Sequence, residues 1–98
     1  MAEKAYCVYI LTNHNNTVLY TGITNDLQRW VLEHKSGQGN QFTKKYHLTK
    51  LVYFERGDDV KIATAREKQI KAGSRQRKID LVNSMNPEWI DLCDEYFT

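Results

Sequence analysis

Two tyrosines, a histidine and a glutamate occupy positions where a plain core would carry aliphatic side chains: Tyr9, Tyr20, His34 and Glu67. Tyr9 and Tyr20 lie in "VYILTNHNNTVLYTGIT", residues 8–24, which reads as two short apolar strands around a polar turn. A turn centred between His14 and Asn15 makes Tyr9 face Tyr20 directly. A turn centred on Asn15-Asn16 makes them diagonal neighbours. In both registers they share a face, because side chains alternate with period two. Gly22 lies on that face too, and its missing side chain predicts a gap in which something can approach the backbone. His34 shares a helical face with Leu27, Trp30 and Val31, and Glu67 shares one with Val60, Ala63 and Ile70. Each polar group alone has an ordinary explanation: a buried phenol with a partner, a hydrogen-bonded histidine, a Glu67–Lys71 pair four residues apart on a helix. Their convergence points to chemistry. A carboxylate on an inward stripe is costly without a partner or a metal. One carboxylate with a histidine and phenol hydroxyls, beside basic loops, can cleave a phosphodiester. A metal neutralises the phosphate, a polar group activates water, and cations stabilise the transition state.

The charge pattern fits such a substrate. Net charge is only +2, yet residues 27–50 hold five cations against the single acid Glu33, and residues 61–78 hold seven against Glu67, while residues 80–98 hold five acids and no Lys or Arg. A basic middle with an acidic end suits one face for a polyanion. Lys35, Lys44, Lys45, Lys71, Arg75 and Arg77 are the candidate phosphate contacts. Phe42, Tyr46 and Tyr53 lie in or near the basic stretch, compatible with base stacking as well as with core packing.

The elements that must position these groups follow from pattern and punctuation. "AYCVYILT" and "TVLYTGIT" are strands around "NHNN". "TNDLQRWVLEHKSG" is a helix capped by Asn25, with Gln28 at capping-box spacing, and stopped by Gly37. "GQGNQFTKKYH" is a basic loop, and "LTKLVYFE" is a third strand. "DVKIATAREKQIKAG" is a second helix. Ser74 caps a third, "RQRKIDLVNSM". Asn86-Pro87 breaks that helix, and Pro87 opens a last one with Trp89, Leu92, Cys93 and Tyr96 on its packing stripe. The predicted fold is α+β, a small, mainly antiparallel three-stranded sheet flanked by helices in the order β-β-α-β-α-α-α. Ninety-eight residues make a single domain, 1–98. The start, "MAEKAYCVYI", lacks the apolar core of a signal peptide, and no apolar run approaches membrane-spanning length, so the expected location is the cytoplasm. Cys7 and Cys93, far apart in sequence, are expected as buried free thiols.

In this arrangement the sequence resembles the GIY-YIG nuclease superfamily, most closely its small single-domain bacterial members, themselves similar to the nuclease domain of the excision-repair C subunit. Cys7-Val8-Tyr9 and Tyr20-Thr21-Gly22 stand where the two signature triplets belong. "YTGITNDL", "EHKSG", "FTKKY", "LVYFE", "REKQIK", "SRQRKI" and "NPEW" follow in order, so the likeness covers nearly the whole chain. The resemblance implies that Tyr9 works near the attacking water, that Tyr20 neighbours it at the phosphate, that His34 completes the cluster, and that Glu67 holds a divalent metal, Mg²⁺ or Mn²⁺. Asn86 or Asn83 is matched to an asparagine near the site, and Gly22 supports it. The implied partner is DNA, with recognition of DNA structure or damage, as in DNA repair, or dependence on a protein partner.

One position departs from the pattern. The family's catalytic arginine lies four residues before the histidine, and that place here is Trp30. Arg29 is the nearest candidate for the role. At about 100° per residue, four residues return nearly to the same helix face and five overshoot by about 140°, so Arg29 leaves on the side away from His34. Two functions follow: a metal-dependent DNA endonuclease, weakened at Trp30, or a nucleic-acid-binding domain on a nuclease scaffold. The retained Tyr9, Tyr20, His34 and Glu67 favour the first. A protein-binding adaptor rests only on the acidic end.

Overall fold

The computed structural model describes residues 5–36 and 40–93, without the side chains of Val31 and His34. The expectations placed on Gly37, on Tyr96 and on the His34 side chain lie outside the described residues. Strands β1 (Tyr6–Thr12), β2 (Leu19–Thr24) and β3 (Lys50–Gly57) form an antiparallel sheet in the order β2-β1-β3. Helices α1 (Leu27–Lys35), α2 (Gln41–Lys45), α3 (Val60–Ala72) and α4 (Arg75–Met85) flank it. The α+β class and the order β-β-α-β-α-α are as the sequence predicts, with the short α2 added between α1 and β3; of the last helix expected after them, the described residues include only Leu92 and Cys93 in helical conformation.

The hairpin takes the second of the two registers: Tyr9 lies opposite Gly22, and Leu11 opposite Tyr20. The Asn13 side chain closes the turn. Its Oδ1 accepts from the backbone N–H groups of Thr17 (2.8 Å) and Val18 (3.1 Å), and its Nδ2 donates to the Thr17 hydroxyl. Asn16 supplies the positive φ of 59° that the chain reversal needs, a conformation asparagine tolerates better than most residues.

β1 is central and buried on both faces, which is why "CVYIL" is a continuous apolar run. Cys7, Tyr9 and Leu11 face Leu27 of α1 together with Leu48, Leu51, Leu92 and Cys93. Val8 and Ile10 face Ala63 and Ile70 of α3 and Val82 of α4. A bulge after Ile10 shifts the β1–β3 pairing from Ile10 opposite Tyr53 to Leu11 opposite Leu51. Val52 and Tyr53 thereby point into the same α3–α4 layer. Truncating a fully buried member such as Ile10 or Leu51 would cost about 2–5 kcal/mol. Cys7 and Cys93 are buried and form no disulfide, as expected. Burial pushes the Cys7 thiol up, and Arg56 opposes the shift only in part.

Four local expectations are corrected. Asp26, not Asn25, caps α1: its Oδ1 accepts from Arg29 N–H at 3.2 Å and its carbonyl from Trp30 N–H at 3.0 Å. The basic loop contains α2, capped by Asn40, whose Oδ1 accepts from Thr43 N–H at 2.9 Å. Val60, at the first turn of α3, is exposed rather than inward. Pro87 does not open a helix. It sits in a turn closed by Trp89 N–H to the Asn86 carbonyl (2.9 Å), and Trp89 takes a φ of 55°, which a right-handed helix cannot accommodate. Ser74 caps α4 as predicted, accepting from Arg77 N–H at 3.1 Å.

Two side chains fasten the segment after α4 to the sheet. Asn86 Nδ2 donates to the carbonyls of Val52 (3.2 Å) and Ile90 (2.8 Å), and its Oδ1 accepts from Ile90 N–H. Asp91 accepts from the N–H groups of Leu51 and Cys93 and pairs with Lys35 of α1.

Candidate functional site

Tyr9 leaves β1 on the α1 side and lies flat across its pairing partner. A methyl group on Gly22 would meet the Tyr9 hydroxyl oxygen at 2.3 Å. The gap expected at Gly22 is therefore real, and the Tyr9 ring fills it. Glycine is required because the phenol crosses the neighbouring strand at backbone contact distance. Trp30 of α1 covers the ring from the other side, with centroids 4.5 Å apart and planes at 44°. Tyr20, diagonal in the hairpin, places its ring centroid 6.4 Å from that of Tyr9. Tyr9 is thus held on three sides and only 2% exposed.

Because β2 is the sheet edge, the Tyr9 hydroxyl is carried past β1 toward that edge. Glu67 approaches from α3, which packs on the opposite face and against β2. Its side chain is 12% exposed, so the inward stripe read from the sequence does hold a mostly buried carboxylate. Lys71, four residues on, pairs with it at 2.7 Å. The Tyr9 phenol is held well above its ordinary range, first by burial, then by the neighbouring Tyr20 and by the negative charge of Glu67. Two consequences follow. Tyr9 is a neutral phenol near pH 7, a hydrogen-bonding group and not a phenolate. Glu67 and Tyr9, on different elements and 58 positions apart in sequence, share one electrostatic environment.

Tyr20 opens the cluster outward. Its hydroxyl accepts from Asn40 Nδ2 at 3.1 Å, and its ring meets Phe42 of α2 at 5.7 Å. With Asn40 donating to the oxygen, the Tyr20 O–H proton is left to point at an acceptor. Asn40 has no counterpart in the sequence reading. The only signal for it was an N-cap residue type before a short segment with no periodicity of its own.

The other sequence candidates are more dispersed. Arg29 does point away from the cluster, with its side chain 77% exposed and its Nε 3.0 Å from Glu33. Lys35 bonds to Asp91 and to the Thr49 carbonyl, and so ties α1 to β3. Asn86 contacts Val52 and Ile90, and Asn83 accepts from the Trp89 indole N–H at 2.7 Å. Lys44 and Lys45 are exposed on α2, next to the aromatic end of the cluster. Arg75 and Arg77 are exposed at the start of α4, where Arg75 reaches the carbonyl of Asn16 in the hairpin turn at 3.5 Å.

Among the described residues no three His, Cys, Asp or Glu side chains converge to hold a metal by themselves. Glu67 offers one hard carboxylate at the rim of the cluster. A single carboxylate suits a cation that keeps several waters and takes further oxygens from a phosphate, as Mg²⁺ does, and does not suit a closed zinc cage. Such a cation would compete with Lys71 for the Glu67 oxygens.

Comparison with known proteins decides the family. Residues 5–80 match the model described as the GIY-YIG catalytic domain, which spans both hairpin triplets, α1 and Glu67. This chain belongs to the GIY-YIG family. It is 40% identical over 81 residues to a UPF0213 protein of Staphylococcus saprophyticus, covering 83% of this chain and 96% of that one. It is 42% identical over 82 residues to a UPF0213 protein of Natronomonas pharaonis, covering 84% and 94%. A solution NMR structure of a UPF0213 protein from Bacillus halodurans superposes with a TM-score of 0.58 at 28% identity, over 96% of this chain and 99% of that one. The GIY-YIG assignment carries a nuclease-like function and a nucleic-acid substrate. Among the described residues no helix is long and apolar enough to cross a membrane.

Proposed function

We propose that this GIY-YIG protein is a metal-dependent DNA endonuclease that hydrolyses phosphodiesters at the Tyr9–Tyr20–Glu67 cluster. The observation that carries the reading is geometric: Tyr9 and Tyr20 of the two signature strands lie with ring centroids 6.4 Å apart, and α3, which carries the mostly buried Glu67, packs against both strands. Neutral Tyr9 orients the attacking water through its hydroxyl. Tyr20, whose oxygen is already engaged by Asn40, donates its proton to a non-bridging phosphate oxygen. Glu67 would hold Mg²⁺ or Mn²⁺, and the bound cation supplies neutralisation of the charge that develops on the phosphate. Lys71, half-exposed beside Glu67, would face the phosphate backbone, and exposed Lys44, Lys45, Arg75 and Arg77 extend the basic surface.

A second reading, a nucleic-acid-binding domain with little cleavage, is favoured by one observation: Trp30 packs on Tyr9 where the family resemblance places an arginine, and Arg29 is turned outward onto Glu33. Cleavage assays on duplex, nicked, flapped and branched DNA, with Mg²⁺ or Mn²⁺ and with EDTA, separate the two. The endonuclease reading expects metal-dependent product on at least one substrate. Binding without product on every substrate contradicts it.

A further inference from the structure

We propose that Phe42 and Tyr46 form a stacking platform for an unpaired base next to the scissile phosphate, so that the preferred substrate carries single-stranded nucleotides at the cut. This rests on the nuclease reading above and adds the class of DNA to it. Phe42 is 44% exposed and Tyr46 39% exposed, and their ring centroids lie 4.8 Å apart. Four positions apart, on and just after the five-residue α2, they share one face. Both are large aromatic side chains that keep a substantial part of their surface open to solvent on that face.

Their surroundings specify the occupant. Lys44 and Lys45 lie between them in sequence, and the Lys45 ammonium sits 5.4 Å from the Tyr46 ring centroid. A ligand that satisfies both features has a flat apolar face and a negative charge close by, which describes a nucleotide. In intact duplex the faces of bases are covered by their neighbours, whereas an unpaired base offers its face to an aromatic ring. The platform is also connected to the reactive cluster: Tyr20 touches Tyr9 at 6.4 Å on one side and Phe42 at 5.7 Å on the other. A base on Phe42 and Tyr46 therefore lies beside Tyr20, the residue to which the nuclease reading assigns the scissile phosphate, and a single aromatic ring away from Tyr9.

The test uses the full chain in EDTA, with 2-aminopurine either in the single-stranded arm of a flapped DNA or at a paired position of a blunt duplex. Phe42→Ala/Tyr46→Ala and Phe42→Leu/Tyr46→Leu are compared with the parent. The platform predicts quenching of flap 2-aminopurine by the parent and its loss in both variants. Affinity for the flap should fall at least fivefold in both, since both lose the rings on which a base stacks, while duplex affinity changes less than twofold and the salt dependence is kept. Duplex binding also reports that the variants are folded.

Four results overturn the proposal. The variants bind the flap as the parent does; duplex and flap affinity fall equally; leucine restores flap binding, so that apolar area and not a ring is what matters; or the variants only change the oligomeric state in light scattering, which makes the patch an interface between copies. In each of these the nuclease reading stands if the parent cuts DNA. If the parent binds no nucleic acid, both fall.

Discussion

The Tyr9 ring rests on the backbone of Gly22, so closely that a β-carbon there would lie 2.5 Å from the ring carbon bearing the hydroxyl. The two residues therefore act as one unit. Gly22→Ala should push Tyr9 out of its place and cost about 1–3 kcal/mol, as overpacking does. In a Tyr9→Ala background the same change should cost much less. A double-mutant cycle by urea unfolding measures the coupling, and additive costs would mean that the two do not compete for space. Single-turnover cleavage in Gly22→Ala should fall at least tenfold.

Trp30 covers the other face of Tyr9, at 4.5 Å between centroids. The family resemblance places arginine at this position, and an arginine stem can cover the same apolar surface while its head stays wet. Trp30→Arg should be tolerated, at a cost of about 1–3 kcal/mol, and should raise cleavage at least tenfold, which needs only about 1.4 kcal/mol off the barrier. Arg29→Ala should affect binding more than the chemical step, because Arg29 is paired with Glu33 on the outer face. Unchanged cleavage in Trp30→Arg with a large loss in Arg29→Ala would show that Arg29 swings into the role.

Much of this geometry was legible because polar side chains interrupt apolar stripes. Period two put Tyr9, Tyr20 and Gly22 on one face, period 3.6 turned Glu67 inward, and the angle per residue put Arg29 on the far side of α1. What failed to show depends on contacts that no period encodes. The hairpin register was decided by the Asn13 side chain folding onto Thr17 and Val18. The gap at Gly22 was filled by a ring from the neighbouring strand. Asp26 took the cap from Asn25, one residue away, and α2 was too short to carry a pattern. "NPEW" looked like a helix start because proline favours that place, but Trp89 adopts a left-handed conformation instead, its indole N–H held by Asn83.

The basic residues on α2 should act through phosphates. Neutralising Lys44 and Lys45 to Gln should weaken DNA binding at low salt and flatten the plot of log affinity against log salt by up to about two units, roughly one per lost phosphate contact. Fluorescence anisotropy between low and moderate salt measures it. A parent affinity that ignores salt would contradict the nucleic-acid interface altogether.

On the face of the sheet away from Tyr9, Tyr53 donates its hydroxyl to Glu55, which Arg66 grips through Nε and Nη2 (2.8 Å to the latter). Burial, then the bond to Glu55 and its charge, push the Tyr53 phenol up to about 12 against the opposing pull of Arg66. A folded value above the unfolded value of about 10 makes the contribution complete below about pH 10 and lost as pH rises toward 12. Tyr53→Phe should therefore cost about 0.5–1.5 kcal/mol at neutral pH, and its deficit against the parent should shrink above pH 10. Urea midpoints measured from pH 8 to 11 read this out, and a constant deficit would remove the phenol from the account.

Glu67 is a mostly buried carboxylate whose negative charge helps hold the Tyr9 phenol up, and the proposed chemistry depends on it. The most direct measurement is single-turnover cleavage of the preferred DNA by the parent and by Glu67→Gln, in Mg²⁺, in Mn²⁺ and in EDTA, with DNA affinity and unfolding midpoint recorded on the same samples. The predicted result is metal-dependent cleavage by the parent and at least a hundredfold loss in Glu67→Gln, a loss of about 2.7 kcal/mol or more of transition-state stabilisation, with affinity and stability nearly unchanged. Equal rates in the two proteins, or parent cleavage that survives EDTA, would contradict the assignment of a metal to Glu67.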